Sequence, residues 1–355
     1  MTKAVPLKPI IAITGLVYGF LHWAKKHPEW IESHYSKIVY PLLFRGRKWF
    51  FQSLDTAVGD GLYLLFFLLF IVGCIRALHY NLRSVFLIVT LCLCLFFLWF
   101  ELSWGVNYYR LPLEQKMAIS AEERTADDLY STTLFLAQQT NALHHLITSS
   151  ADEQVAFPYS LEEFIGLLKY TASPSGVTTN AKASWYSTPL LYAGFSGYLN
   201  PFTLEAQVNA KIPPLQMPVT IAHEMAHQEG YAAENEASYI GFLRTFNHPD
   251  PYIRYASCMF ALRHCFGALN RINADDAKYI RQTLSPGILT EFSNLYAFWE
   301  KYKNPLRTYT KKSYDKFLKA NGQQQGIQSY SEVVRLLIHG YCQDSEIPFQ
   351  FGNNL

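Results

Sequence analysis

The chain has 355 residues, with 30 Lys and Arg against 28 Asp and Glu and a net charge of +2. That length holds two compact domains, or one domain and a membrane portion, and the balanced charge excludes a polyelectrolyte working through net charge alone. Charged residues are only 16% of the chain, against a usual ~25% for soluble domains, while hydrophobic residues reach 50% and aromatics 16%, which points to lipid.

The charge-free windows fall in the first third of the chain: Pro9 to Ala24, Gly61 to Ile75 and Ser84 to Phe100. With their flanks they predict three transmembrane helices over approximately 7–26, 60–78 and 84–105, each near the ~20 apolar residues that a bilayer core requires. In the first, Lys8, Lys25 and Lys26 can snorkel to headgroups, and Trp23 suits an aromatic belt. A cleaved signal peptide is the competing reading, but no small-x-small cleavage site follows, and the chain runs on into an amphipathic stretch, HPEWIESHYSKIVYPLLF. The second window, GLYLLFFLLFIVGCI, has no polar face with which to meet water. Residues Ala77 to Arg83 make the last two spans a tight hairpin.

Three spans put the termini on opposite sides. Lys25, Lys26, Lys37, Arg45, Arg47 and Lys48 would then share a side with the large C-terminal region, so the positive-inside rule favours a cytoplasmic C-terminal domain. Six cysteines are too few for a disulfide scaffold, and no CxxC spacing occurs. Cys74, Cys92 and Cys94 lie in apolar runs and read as small hydrophobes, leaving Cys258, Cys265 and Cys342.

From Tyr108 onward the composition becomes that of a folded soluble domain. The expected division is a membrane region over 1–107 and a catalytic domain over 108–355. Residues 114–150 read as mainly helical, with Ser120 and Glu123 in capping-box spacing, and Leu161 to Tyr170 as a short helix. Ser173 to Pro218 is rich in Gly, Pro, Ser, Thr and aromatics, and alternation in TLEAQVNAKI predicts a strand over Leu204 to Ile212. Helical patterns resume beyond Pro218. The fold class expected is mainly α with a small β-sheet (α+β).

The chemistry is carried by His223-Glu224-Met225-Ala226-His227, an HExxH pattern. On a helix, residues four apart share a face, so His223 and His227 can both reach one tetrahedral Zn²⁺, and Glu224 can take a proton from water. Gly230 is placed to end that helix and turn the chain. A catalytic zinc needs three protein ligands, and the segment opening with Glu234 is the next source, with Glu236 as reserve. A surface helix with two histidines is the alternative reading of the motif.

This ordering resembles the gluzincin metallopeptidases, in which a Glu from an ExxA(D/N) motif joins HExxH. The resemblance implies Glu234 as third ligand and matches Ala237; Ser238 stands where that pattern has Asp or Asn. Over a longer span, WGVNYYR (104–110), GFSGYLNPFTLEAQVN (194–209), HEMAHQEGYAAENEASY (223–239) and YDKFLKANGQQQGIQSYSEVV (314–334) resemble the bacterial family catalogued as domain of unknown function 3810. That resemblance implies N-terminal transmembrane helices in the inner membrane followed by a zincin-like domain facing outward, against the charge count.

In peptidases of this type an edge strand aligns beside the active-site helix; Leu204 to Ile212 could serve, with Asn209 and Ala210 facing the cleft and Glu205 either facing substrate or solvated. Tyr231, Tyr239, His248 and His264 are oxyanion-stabiliser candidates by residue type only. His144 and His145 are adjacent, share no helical face and read as non-catalytic. The cluster Lys301, Lys303, Arg307, Lys311 and Lys312 reads as a solvated or juxtamembrane patch, since no nucleic-acid motif accompanies it.

The expected function is therefore a membrane-anchored zinc metalloendopeptidase acting on soluble or juxtamembrane polypeptides. Its metal ligands would be His223, His227 and Glu234, its base Glu224, and its partners a polypeptide substrate and the lipid bilayer, with no nucleic acid. Oligomeric state is not legible. The rival is a non-catalytic membrane scaffold or sensor retaining a zincin fold.

Overall fold

A computed structural model describes residues 7–51, 53–77, 82–117, 125–171, 176–323, 326, 329–342 and 349. The chain is mainly α-helical with one three-stranded sheet, and its contacts divide it into two units. One comprises Met1–Leu111 with Asn200–Glu205, the other Pro112–Leu199 with Ala206–Leu355.

In the first unit, α1 (Leu7–Ala24) is followed by α2 (Pro28–Trp30), which runs through a π-helical stretch, Ile31–Val39, into α3 (Tyr40–Phe51); α4 (Val58–Ala77) and α5 (Leu82–Ser103) complete it. Of the three expected spans, one helix among the described residues is long and apolar enough to cross a membrane, Val58–Arg76, and only 11% of it is buried. Pro9–Ala24 and Ile88–Ser103 are shorter apolar helices. The N-terminus of α4 is capped by Glu205, whose Oε2 accepts from Gly59 N at 2.6 Å, a favourable place for a carboxylate beside the helix dipole. Glu205 is buried in that cap, and so neither faces substrate nor is solvated. Phe202 lies among the rings of Tyr63, Phe66, Phe96 and Trp99.

The second unit contains α6 (Leu113–Lys116), α7 (Ala126–Ile147), α8 (Leu161–Leu168), β1 (Ala181–Ala183), α9 (Ser187–Ala193), β2 (Gly197–Leu199) and β3 (Ala206–Val208). Then follow α10 (Met217–Gln228), α11 (Glu234–Phe246), α12 (Pro251–Ile272), α13 (Ala274–Thr283), α14 (Pro286–Lys301), α15 (Pro305–Ala320) and α16 (Ser329–Cys342). The capping box expected at Ser120 and Glu123 lies outside the described residues; the box observed is Thr125 with Asp128, and it starts α7 at Ala126.

The strand order is β1-β3-β2, with β1 parallel and β2 antiparallel to β3. The strand anticipated as an edge is therefore the centre of the sheet, and it is confined to Ala206–Val208. Ala206 and Val208 pack with Ile221 and Met225 of α10, which seats that helix against the sheet. On the far side, Ala226 joins a larger core with residues of α7, α11, α12 and α16. The HExxH helix is thus held between two apolar clusters.

Candidate metal centre and its cleft

Pro218 sits in the first turn of α10, where no intrahelical N–H partner is required. Ile221 and Met225 take one face and Ala226 another, leaving His223 and His227 one turn apart on the remaining face with ring centroids 4.6 Å apart.

The helix ends in a Schellman turn: Gly230 N donates to His227 O at 2.9 Å, and Tyr231 N to Ala226 O at 3.2 Å. Gly230 has φ of 87°, a left-handed conformation that glycine adopts without a Cβ penalty. The same turn brings the Tyr231 carbonyl to 2.6 Å from His227 Nδ1. A carbonyl only accepts, so Nδ1 carries a proton, and in the neutral ring Nε2 is left free to act as a ligand. His223 Nδ1 is 3.2 Å from Ser238 Oγ. Serine at the position where the gluzincin pattern has Asp or Asn therefore still bonds the first histidine.

Two contacts fix α11 against α10. Glu229 and Arg244 form a buried ion pair across the two helices. A Cβ at Gly241 would lie 2.9 Å from His223 N, so the backbones approach at a distance only glycine permits. This places Glu234, the first residue of α11, with Oε2 3.2 Å from His223 Nε2 and 3.6 Å from His227 Nε2. Its Oε1 accepts a hydrogen bond from the Tyr314 hydroxyl on α15.

The sequence-predicted residues His223, His227, Glu234 and Glu224 are all brought together. His223, Glu224 and His227 offer ligand atoms within 4.8 Å of one another. His223 Nε2, His227 Nε2 and Glu234 Oε2 converge, and Glu224 Oε2 is buried beside them without a hydrogen-bond partner. Such a set of acceptors is costly unless a positive charge sits among them. A divalent cation fits that need, and imidazole nitrogen with carboxylate oxygen is a donor set suited to zinc.

A proton can serve in its place. Burial disfavours a charged His227, but the adjacent Glu234 outweighs it and raises its pKa to about 9, while burial holds His223 below the usual imidazole value. Although burial opposes ionisation of Glu234, the two histidines hold it well below the carboxylate range. Burial pushes Glu224 up to about 8, more than the nearby His227 lowers it, and the Glu234 carboxylate adds to the rise.

Glu236, the reserve ligand, points elsewhere: its Oε1 accepts from Leu113 N at 2.7 Å. Asn209 is buried and bonds the carbonyl of Phe195, and neither it nor Ala210 lines the cleft. Of the oxyanion candidates, His264 lines the cleft, whereas Tyr231, Tyr239 and His248 do not. His144 is a buried structural residue, 2.8 Å from the carbonyl of Glu153.

A cleft of about 230 Å³ opens beside His223 and Glu224, walled by α10, α12, α14 and the segment Gly194 to Gly197. A Cβ at Gly197 would fall 2.6 Å from Glu224 Oε1 and 2.9 Å from Gln207 O, so the Glu224 carboxylate is packed directly against β2. Sequence reasoning missed Gly197, Tyr314 and Arg263. All three reach the site through tertiary packing, which no local spacing in the sequence reports.

A family model described as Protein of unknown function (DUF3810) matches residues 35–338. No curated protein and no solved structure matches the chain.

Proposed function

The chain belongs to that family of proteins of unknown function, and from its site we propose that it is a membrane-anchored zinc metallopeptidase. The observation that carries this reading is the convergence of His223 Nε2, His227 Nε2 and Glu234 Oε2 with the buried carboxylate of Glu224 beside an open cleft. In the proposed site His223, His227 and Glu234 hold the metal. When bound, zinc supplies Lewis-acid polarisation of a carbonyl and acidification of water.

This chain's own residues do the rest. Glu224 accepts the proton of the attacking water at a carboxylate oxygen and delivers it to the leaving amine nitrogen as the C–N bond breaks, so one water is consumed per peptide bond. Ser238 and the Tyr231 carbonyl orient the two imidazoles, and Tyr314 orients Glu234.

The polypeptide would lie along β2. Pairing of Asn209 N with Ser196 O assigns the alternate residues of β2, Gly197 and Leu199, to the edge facing away from β3. Their N–H and C=O groups are oriented to pair an extended backbone. The apolar helices of the first unit, α4 together with the shorter α1 and α5, would anchor the protein as a multi-pass protein of the bacterial inner membrane, with the catalytic domain outside the cytoplasm.

Elemental analysis of detergent-purified protein tests the metal site, with cleavage of an unfolded protein such as casein as a second readout. The expected result is about one zinc per chain, lost in His223→Ala and Glu234→Ala and retained in Glu224→Gln, which does not cleave. Wild type that binds no metal after zinc reconstitution would transfer the assignment to a non-catalytic scaffold. A closed sphere with a fourth protein ligand would do the same.

A further inference from the structure

The cleft beside Glu224 is apolar on most of its wall, through Leu215, Val219, Met259, Phe260, Phe292 and Leu295. On α12, Ala256, Met259, Phe260 and Arg263 recur at helical spacing and form one face towards it. Glu224 is the only carboxylate among the lining residues, and it belongs to the proposed catalytic group. Arg263 is exposed, and it has no ion pair or hydrogen bond among the described residues. Among the described residues, Arg263 is thus a cation on a mostly apolar cleft wall that pairs with no carboxylate.

Resting on the metallopeptidase reading, we propose that Arg263 binds a carboxylate of the substrate, on a peptide segment whose apolar side chain fills the cleft. Guanidinium matches carboxylate geometry in a two-point pairing and is lightly hydrated, so it suits a partly apolar wall better than ammonium does. From Ala256 to Arg263 the helix advances about 10 Å, the reach of about three extended residues. The carboxylate therefore lies within a few residues of the bond to be cleaved. Its source is either the free C-terminus of the peptide or an Asp or Glu side chain.

The test uses the full-length, zinc-reconstituted protein carrying Glu224→Gln, so that peptides bind without turnover. Three N-terminally labelled probes are titrated by fluorescence anisotropy: Gly-Gly-Phe-Leu-Ala as the free acid, the same peptide as its C-terminal amide, and the amide with Asp in place of the last Ala. The expected result is that the free acid or the Asp peptide binds about tenfold more tightly than the plain amide. Adding Arg263→Gln should abolish that preference, and Arg263→Lys should restore part of it. Preference for the free acid identifies the C-terminus as the source, and preference for the Asp peptide identifies a side chain.

Equal binding of all three probes overturns the proposal, as does an Arg263→Gln effect that weakens all three alike. Absence of binding by any probe also overturns it. In each of those cases the metallopeptidase reading is judged separately, by zinc content and by casein cleavage in the protein with Glu224 intact.

Discussion

Helices α4 and α10 invert each other's relation to water. In α4 the run Leu64 to Phe70 is exposed at every position, whereas α10 buries Glu224, His227 and Gln228. Neither arrangement is stable in water alone, because exposed leucine and phenylalanine forgo the hydrophobic gain and buried carboxylates lose hydration. On the proposed reading, what each helix lacks is what it would meet: hydrocarbon around α4, and a positive charge beside α10. The two inferences are independent, since one rests on apolar surface and the other on buried imidazole and carboxylate groups.

The largest expected effect tests the α10 half of the contrast. Glu224→Gln should lower casein cleavage by about 10² to 10⁴, the range for loss of a general base, while zinc content stays at the wild-type level. Cleavage that survives the substitution would mean that the buried carboxylate serves only to balance charge. For the α4 half, Phe67→Arg should reduce the fraction retained in carbonate-washed membranes, since an arginine at the centre of a span costs ~2.5–3.5 kcal/mol on insertion scales. The same change on a water-facing helix alters stability by only about ±0.5 kcal/mol. Unchanged retention would mean that α4 is not needed for anchoring.

Smaller effects sharpen the comparison. Ser238→Ala removes the hydrogen-bond partner of His223 Nδ1 and should weaken zinc about 10- to 100-fold in a chelator competition, the usual cost of losing such support. Equal affinity would show that packing alone orients the ring. Gly230→Ala forces a Cβ into a left-handed turn and should lower unfolding free energy by about 1 kcal/mol, measured in denaturant on the zinc-loaded protein. An unaltered midpoint would mean that the turn relaxes without disturbing His227.

How much of this was legible in the sequence follows from how far each partner lies along the chain. The HExxH pair, the turn at Gly230 and the return of Glu234 are governed by helical periodicity and a backbone preference, both local. Ser238 was visible as a departure from a pattern, but its bond to His223 became apparent only with the crossing of α10 and α11. Tyr314 lies 80 residues from Glu234, and no spacing rule connects them. The sheet was misread at its edge because alternation in 204–212 reports a half-buried strand without telling which neighbours flank it. Glu205 and Glu236 each cap backbone N–H groups elsewhere in the chain, a role that looks identical in sequence to a solvated or ligating carboxylate.

The Schellman turn has a further thermodynamic meaning. Because His223, His227 and Glu234 all come from one helix-turn-helix segment, the chain loop that coordination would close is short, and loop-closure entropy grows with loop length. A cation captured there would organise the two helices at little conformational expense and would do so before distant groups arrive. The hydroxyl of Tyr314, supplied from much later in the chain, would then act as a latch on a centre whose ligands were already in register.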